Sequence, residues 1–250
     1  YDEWFDEFAR KWGEEQGVSV TGDHVKIGEL PSRILEEISA GRGHDLYEFL
    51  SPPASLEPQL MDLSDINREA EEKFGKQSSV CRKSSFNYTT GRFYGFCHGW
   101  APDPGDYRKS LWELVGKPGG PETWQDLLEF GGKIKRELGV GMGIGMAPEI
   151  DSNMAARALL WSFGASIQDE NEQVVINSPQ TAAAVKYMSG LFRDTMTDEV
   201  FGWNAASNNQ ALVAGRASYI LNSISAYRTA QKTIEKVADD IFFVPALKGP

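Results

Sequence analysis

The side chains of this 250-residue chain that could do chemistry are acids, amides and tryptophans set near the ends of predicted elements. Two carboxylates flanking a glycosidic bond can hydrolyse it as acid and nucleophile, or as acid and base. Asp45 with Glu149 or Asp151 is the pair to nominate. No local motif joins them, so solvated or ligand-contacting carboxylates are the simpler reading. Gly141-Met-Gly-Ile-Gly145 has the spacing G-x-G-x-G, which is neither the dinucleotide fingerprint nor a P-loop. It reads as a strand packed closely against a helix. No G-x-S-x-G elbow occurs. His24, His44 and His98 stand apart without metal-ligand spacing, and no metal or cofactor is expected. Cys81 and Cys97 flank one segment that could fold back and let them pair; two buried thiols is the simpler reading. No catalytic constellation emerges.

What accumulates instead is aromatic and amide side chains at loop junctions. Trp100 sits in a proline-rich stretch, Trp203 and Asn204 lead into Ser207-Asn208-Asn209, and Asn222-Ser223 ends a strand pattern. A flat ring covers the apolar face of a sugar, while Asn and Asp fix hydroxyls by paired hydrogen bonds. Taken singly, each is more simply a core tryptophan or a helix cap. Ligands of open α/β sheets favour the carboxyl ends of strands, which is where Asp45, His98 and Asn222 would lie.

The elements that must position these groups alternate along the chain. Trp4, Phe5, Phe8, Ala9 and Trp12 share one helical face, and Val18/Val20 and Val25/Ile27 alternate as strands do. A helix follows over residues 31–40, with Pro31 in its first turn and Gly41 past its end. Residues 46–50 read as a strand, 64–74 as a helix stopped by Gly75, and 93–97 as a short buried strand. Residues 99–105 hold two prolines and two glycines, which reads as a domain crossing or a long surface turn. Residues 107–115 read as helical. Thr123, with Asp126 three residues on, caps a helix to about residue 138, and a glycine-rich strand follows over 140–146. Further helices are expected over 152–163, 178–193 (Ser178 as cap, Pro179 next), 204–214 and 225–237. Strands are expected over 174–177, 217–222 and 241–244. Such alternation predicts an α/β fold.

Composition removes several function classes. With 25 basic against 36 acidic residues the chain carries −11, which disfavours phosphate-backbone binding and docking on an anionic membrane. No nucleic-acid partner is expected. No run of about eighteen apolar residues occurs, so no membrane-spanning helix is predicted.

Several passages have a familiar order. Ile34-Leu-Glu-Glu-Ile-Ser-Ala-Gly-Arg-Gly-His-Asp45 resembles the "helix, A-x-G-x-G-x-D, strand" passage of extracellular solute-binding proteins, the family that includes sugar-binding components of ABC importers. The usual Pro before the Asp is His44 here. Tyr107-Arg-Lys-Ser-Leu-Trp-Glu, then Gly116, then Pro121-Glu-Thr-Trp-Gln-Asp-Leu, is similar to another block of that family. Leu160-Trp-Ser-Phe-Gly-Ala, Val175-Ile-Asn-Ser-Pro-Gln-Thr and Asn209-Gln-Ala-Leu-Val-Ala-Gly-Arg-Ala-Ser-Tyr-Ile-Leu-Asn222 follow in family order.

The resemblance implies two α/β lobes of the periplasmic-binding-protein type, each a mixed sheet flanked by helices, joined by hinge crossings and closing on a solute. Residues 1–101 would form lobe one, 102–243 lobe two, and 244–250 the start of a return crossing. The ends imply a fragment lacking both natural termini. The implied function is solute capture without catalysis, the solute most simply a carbohydrate, with delivery to an ABC permease by a monomer. A periplasmic or extracellular location follows, with a lipid anchor ahead of Tyr1 left open. Carried over by position, Asp45, Tyr47, Glu48, His98 and Trp100 would face the solute from lobe one. Glu149, Asp151, Asn153, Asn222, Ser223 and Ser225 would do so from lobe two. The stacking aromatic that many sugar binders keep near Asn222 is absent, with Tyr227 the nearest ring and Trp203 a substitute. The alternatives are a secreted carbohydrate-active enzyme and a binder of a non-sugar solute such as a polyamine.

Overall fold

The computed structural model describes residues 2–171 and 173–250. The chain divides into two compact units, Tyr1–Trp100 and Ala101–Pro250.

The first unit is mostly helical: α1 (Asp2–Gln16), α2 (Leu30–Ala40), a 3-10 turn at Ala54–Gln59, α3 (Ser64–Phe74) and α4 (Ser79–Ser85). A small antiparallel ladder of β1 (Phe86–Asn87) with β2 (Arg92–Phe93) closes it. The expected signals end α2: Pro31 lies in its first turn, and Gly41 takes a left-handed φ of 63° while its N–H caps the last carbonyls. Ile34 anchors that helix in the interior. Asn67 on α3 is fully buried, and its Nδ2 donates to the Leu63 and Gly95 carbonyls, tying α3 to the chain leaving β2.

Three strand expectations fail here. Residues 18–27 and 46–50 are irregular, and of 93–97 only Phe93 enters a ladder. A strand needs a neighbour to take its backbone groups, and no described strand pairs with residues 18–27 or 46–50. Leu46 and Leu50 stay 78% and 64% exposed. The apolar face of α1 is exposed too, with Trp4 and Phe8 stacked at 5.5 Å.

The second unit holds a four-stranded mixed sheet: β3 (Gly105–Arg108), β4 (Gly141–Gly143), β5 (Ala217–Leu221) and β6 (Ile241–Val244), in the order β4-β5-β3-β6. β4 and β5 are parallel, whereas β3 runs antiparallel to both β5 and β6. Around it pack α5 (Lys109–Leu114), α6 (Trp124–Leu138), α7 (Ile150–Ser162), α8 (Pro179–Thr195), a 3-10 turn at Asp198–Gly202, α9 (Ser207–Val213), α10 (Ser225–Thr233) and α11 (Glu235–Ala238). Trp112, Leu127, Ile134, Leu191, Tyr219 and Leu212 are wholly buried in two apolar clusters of this unit. Fully burying one such side chain contributes about 1.5–3 kcal/mol.

Residues 105–108 correct the helix expected from 107 onward. Gly105 lets the chain pass beneath Tyr219, whose hydroxyl would lie 2.4 Å from an added Cβ. Ladder bonds to strands on both sides then outweigh the local helical spacing. α6 begins as expected, with a full capping box between Thr123 and Asp126. α8 begins with Ser178 accepting from the Thr181 N–H. The predicted helix over 225–237 is broken at Ile234, and of residues 174–177 only Val174 bridges, to Gln168. Residues beyond β6 stay on this unit: Leu247 is buried, Lys248 N–H donates to the Glu122 carbonyl, and Trp124 N–H donates to the Lys248 carbonyl.

Candidate functional site

The densest polar arrangement lies in the second unit, at the carboxyl ends of β4 and β5. β3 is antiparallel to β5 and pairs Gly105 with Leu221, so its first residues reach the same end. Asn222 follows β5, Asn208 and Asn209 open α9, Ser225 opens α10, and Asp151 lies in the first turn of α7. Asn208 is buried: its Nδ2 donates to Asp151 Oδ2 at 3.0 Å and to the Leu221 carbonyl at 3.4 Å. Asn222 Nδ2 donates to the side-chain oxygens of Asn208 and Asn209, at 3.1 and 2.6 Å. Asn222 Oδ1 accepts from the Ser223 N–H and the Ser225 hydroxyl, and Asn209 Nδ2 also donates to Ser225 Oγ. These amides are thus locked by one another, with Ser223 and Ser225 half-buried at the edge.

The start of α7 approaches β4 because Gly145 has no side chain. An added Cβ would lie 2.5 Å from Ser152 Oγ and 2.8 Å from Glu149 Oε1. Glu149 caps the helix, its carboxylate accepting from the Asp151 and Ser152 N–H groups and from the Ser152 hydroxyl. Its negative charge also suits the helix N-terminus. Asn153 is exposed and donates to the Glu149 carbonyl. Glu149 and Asn153 are therefore helix-start residues bordering the network, not members of it.

Two further acids crowd this end. Asp106 is fully buried on β3, and neither of its oxygens has a hydrogen-bond partner. Burial, and secondarily the charge of Asp103, pushes Asp106 up to about 8. Burial also raises Asp103. Asp151 is pushed up to about 6, by burial first and then by Glu149 and Asp103, against the favourable Asn208 amide. The end of the sheet therefore holds amide donors and acceptors beside acids that retain protons easily. Such a surface can sort hydroxyl or ammonium groups. All three histidines belong to the first unit.

Trp203, expected as a stacking ring, is half-buried and rests on both apolar clusters of the unit, with Cη2 3.2 Å from where a Gly143 Cβ would be. Much of its surface is core.

In the first unit, Asp45 is exposed, and Trp100 is 62% exposed. His98 Nε2 lies 2.9 Å from Glu48 Oε1. Tyr47 is half-buried, and its hydroxyl donates to Glu37 at 2.8 Å. Glu37 also receives the His44 N–H, the Arg33 guanidinium and the His44 imidazole, which together hold it far below the usual carboxylate range. The same contact raises His44. Asp23, His24, Arg33, His44, Tyr47 and Glu48 border a cavity of about 320 Å³ within this unit.

Sequence reasoning missed Asp103 and Asp106 and noted Asn208 and Asn209 only as one amide cluster. An Asp inside the pattern Gly-Asp-Tyr-Arg was a signal once that stretch is read as a strand, because a mid-strand acid between covered neighbours needs an explanation. Among the described residues, no group of three His, Cys, Asp or Glu is placed to hold a metal ion. No described helix is long and apolar enough to cross a membrane.

Against known proteins, the sequence matches the family model described as bacterial extracellular solute-binding protein over residues 1–250. It matches none of the curated proteins. The fold is similar to that of maltose-bound MalE3 of T. maritima (TM-score 0.76, 22% identity), covering 99% of this chain and 64% of that one. It is similar to a solute-binding protein of Thermotoga lettingae bound with α-D-tagatose (0.78, 16%), covering 100% and 66%. It is also similar to a sugar transporter protein of Arthrobacter chlorophenolicus with bound laminaribiose (0.77, 17%), covering 100% and 63%. The chain thus spans a little under two-thirds of those structures, and its α/β architecture is that of two-lobe periplasmic binding proteins, in part. With its sequence matched from end to end, the chain belongs to the bacterial extracellular solute-binding protein family.

Proposed function

We propose that the chain captures a small solute, a carbohydrate, and hands it to the permease of an ABC importer as a monomer outside the cytoplasm. Residues 1–101 act as one lobe and 102–243 as the other, with the residues after β6, which still pack on the second unit, leading toward the return. The observation that carries this reading is the Asn208–Asn222–Asp151 network at the strand ends of the second unit. The amides spend their donors on one another and so hold Ser223, Ser225 and Asp151 in place, whose hydroxyls and carboxyl are of the kind sugar hydroxyls require. Maltose, α-D-tagatose and laminaribiose in the structural neighbours support the class of solute. Asp45, Glu48, His98 and Trp100 complete the contacts from the first unit, and Ser223 and Ser225 contribute hydroxyls from the second. Closure follows if both lobes touch the solute only in the closed state.

The protein is a binder, not a hydrolase. Glu149, one of the two acids nominated to pair with Asp45, serves as a helix cap, which supports this reading. A cationic solute such as a polyamine is the second reading, favoured by Asp103 and Asp151 at the same end of the sheet.

The test is tryptophan fluorescence of the full-length protein, titrated with mono- and disaccharides and with spermidine, followed by recovery of the ligand. A saturable change with an intact sugar is expected, and Asn208→Ala weakens it by about tenfold or more. Saturation by spermidine alone moves the assignment to the cationic reading, and altered sugar products move it to an enzyme.

A further inference from the structure

The sequence has two cysteines, and the function proposed above uses neither. Both are free and half-buried, in the first unit. The fold brings them together by register. β1 pairs with β2 through Phe86 and Phe93, and Tyr94 N–H donates to the Ser85 carbonyl at 3.0 Å, extending the alignment into α4. An added Cβ on Gly95 would lie 3.4 Å from Ser85 Cβ, so the chain leaving β2 runs back along α4. Cys97 lies two residues on from Gly95, and Cys81 one helical turn back from Ser85. The two thiols are close enough to perturb one another's ionisation, and Ser84 on α4 donates its hydroxyl to the Cys81 carbonyl at 2.7 Å. Cys97 Sγ also donates to the Gly99 carbonyl at 3.2 Å.

We propose that Cys81 and Cys97 are a redox pair that a disulfide-bearing oxidant closes into an intramolecular disulfide, stapling α4 to the segment that leads to His98 and Trp100. The family's extracellular setting is where such bonds persist. The chemistry is asymmetric. Hydrogen bonds from the Ser78 hydroxyl and the Cys97 thiol hold Cys81 below the usual thiol range, whereas burial pushes Cys97 up. Cys81 is therefore the attacking thiolate. It displaces one thiol from the oxidant and forms a mixed disulfide; Cys97 then loses its proton and attacks the Cys81 sulfur, releasing the second thiol. Two protein thiols and one oxidant disulfide become one protein disulfide and two small thiols, with two electrons and two protons passing to the oxidant.

The experiment incubates the full-length protein with oxidised glutathione and reads intact mass, thiol titre in denaturant and a non-reducing peptide map. The expected result is a monomer about 2 Da lighter, with no titratable thiol and Cys81 linked to Cys97. Reducing agent should then lower the melting temperature by about 5 °C or more, since closing a loop restricts the unfolded chain. Cys97→Ser should stop at a glutathione adduct on Cys81. The wild-type readouts decide the matter even if that variant does not fold. Two thiols still titrating in natively folded protein, cross-linked dimers, or glutathione on both cysteines would each overturn the proposal. None of these outcomes depends on what the protein binds.

Discussion

At Asp106 a carboxyl group sits in the middle strand of a sheet with both oxygens unpartnered. Leaving such a group ionised in the interior is costly, and it keeps its proton instead, up to about pH 8. In the unfolded chain the same acid ionises near its ordinary value of 3.8. Between those two values the folded state binds more protons, so stability falls as pH rises through that window and levels off above about 8. Asp106→Asn keeps the shape and removes the ionisation. It should raise the melting temperature by about 5 °C at pH 8 and by much less at pH 4.5, as followed by calorimetry. An equal gain at both values would refute a buried acid that titrates. Its place inside Gly-Asp-Tyr-Arg marks Asp106 only once that stretch is read as a strand. Its lack of partners arises from strands that arrive more than a hundred residues later, at Ile220 and Phe243.

The elements show where local chemistry suffices. α6 was legible because its cap, Thr123, and the reciprocal Asp126 lie one turn apart, and Gly139 ends it in a left-handed conformation. α2 and α8 were legible for the same kind of reason. The glycine-rich strand β4 was legible as a site of close approach to a helix: Gly145 admits the start of α7 and Gly141 the end of α8, while Gly143 packs against the next strand and a ring. An added Cβ would lie 2.7 Å from Ile220 Cγ2 and 3.0 Å from Ala217 Cβ, with Trp203 Cη2 beyond. Gly143→Val must therefore push β4 and β5 apart. Urea unfolding should register a loss of about 1–3 kcal/mol. An unchanged midpoint would mean that the strands separate freely there. β3 was illegible as a strand because Tyr107, Leu111 and Trp112 also fit one face of a helix, and only pairing on both edges decides between the two.

For the whole molecule, binding and folding are linked. A solute that binds only the folded chain stabilises it by about 2.7 kcal/mol at a hundred times its dissociation constant. The sugar identified by titration should therefore raise the melting temperature, and Asn208→Ala, binding about tenfold more weakly, should cut the rise to about half at the same concentration. A saturating sugar that leaves the wild-type transition in place would remove the binding assignment. Family membership, the α/β alternation, most helix ends and the net negative charge were all present in the sequence alone, because each rests on spacing within a turn or two, or on composition. The tertiary structure alone decided which extended segments gained ladder partners. It also joined Asp151 to Asn208 across 57 residues of chain, and set Cys97 against Cys81. Those outcomes depend on groups remote in sequence satisfying one another's hydrogen bonds, and no local propensity encodes such a meeting.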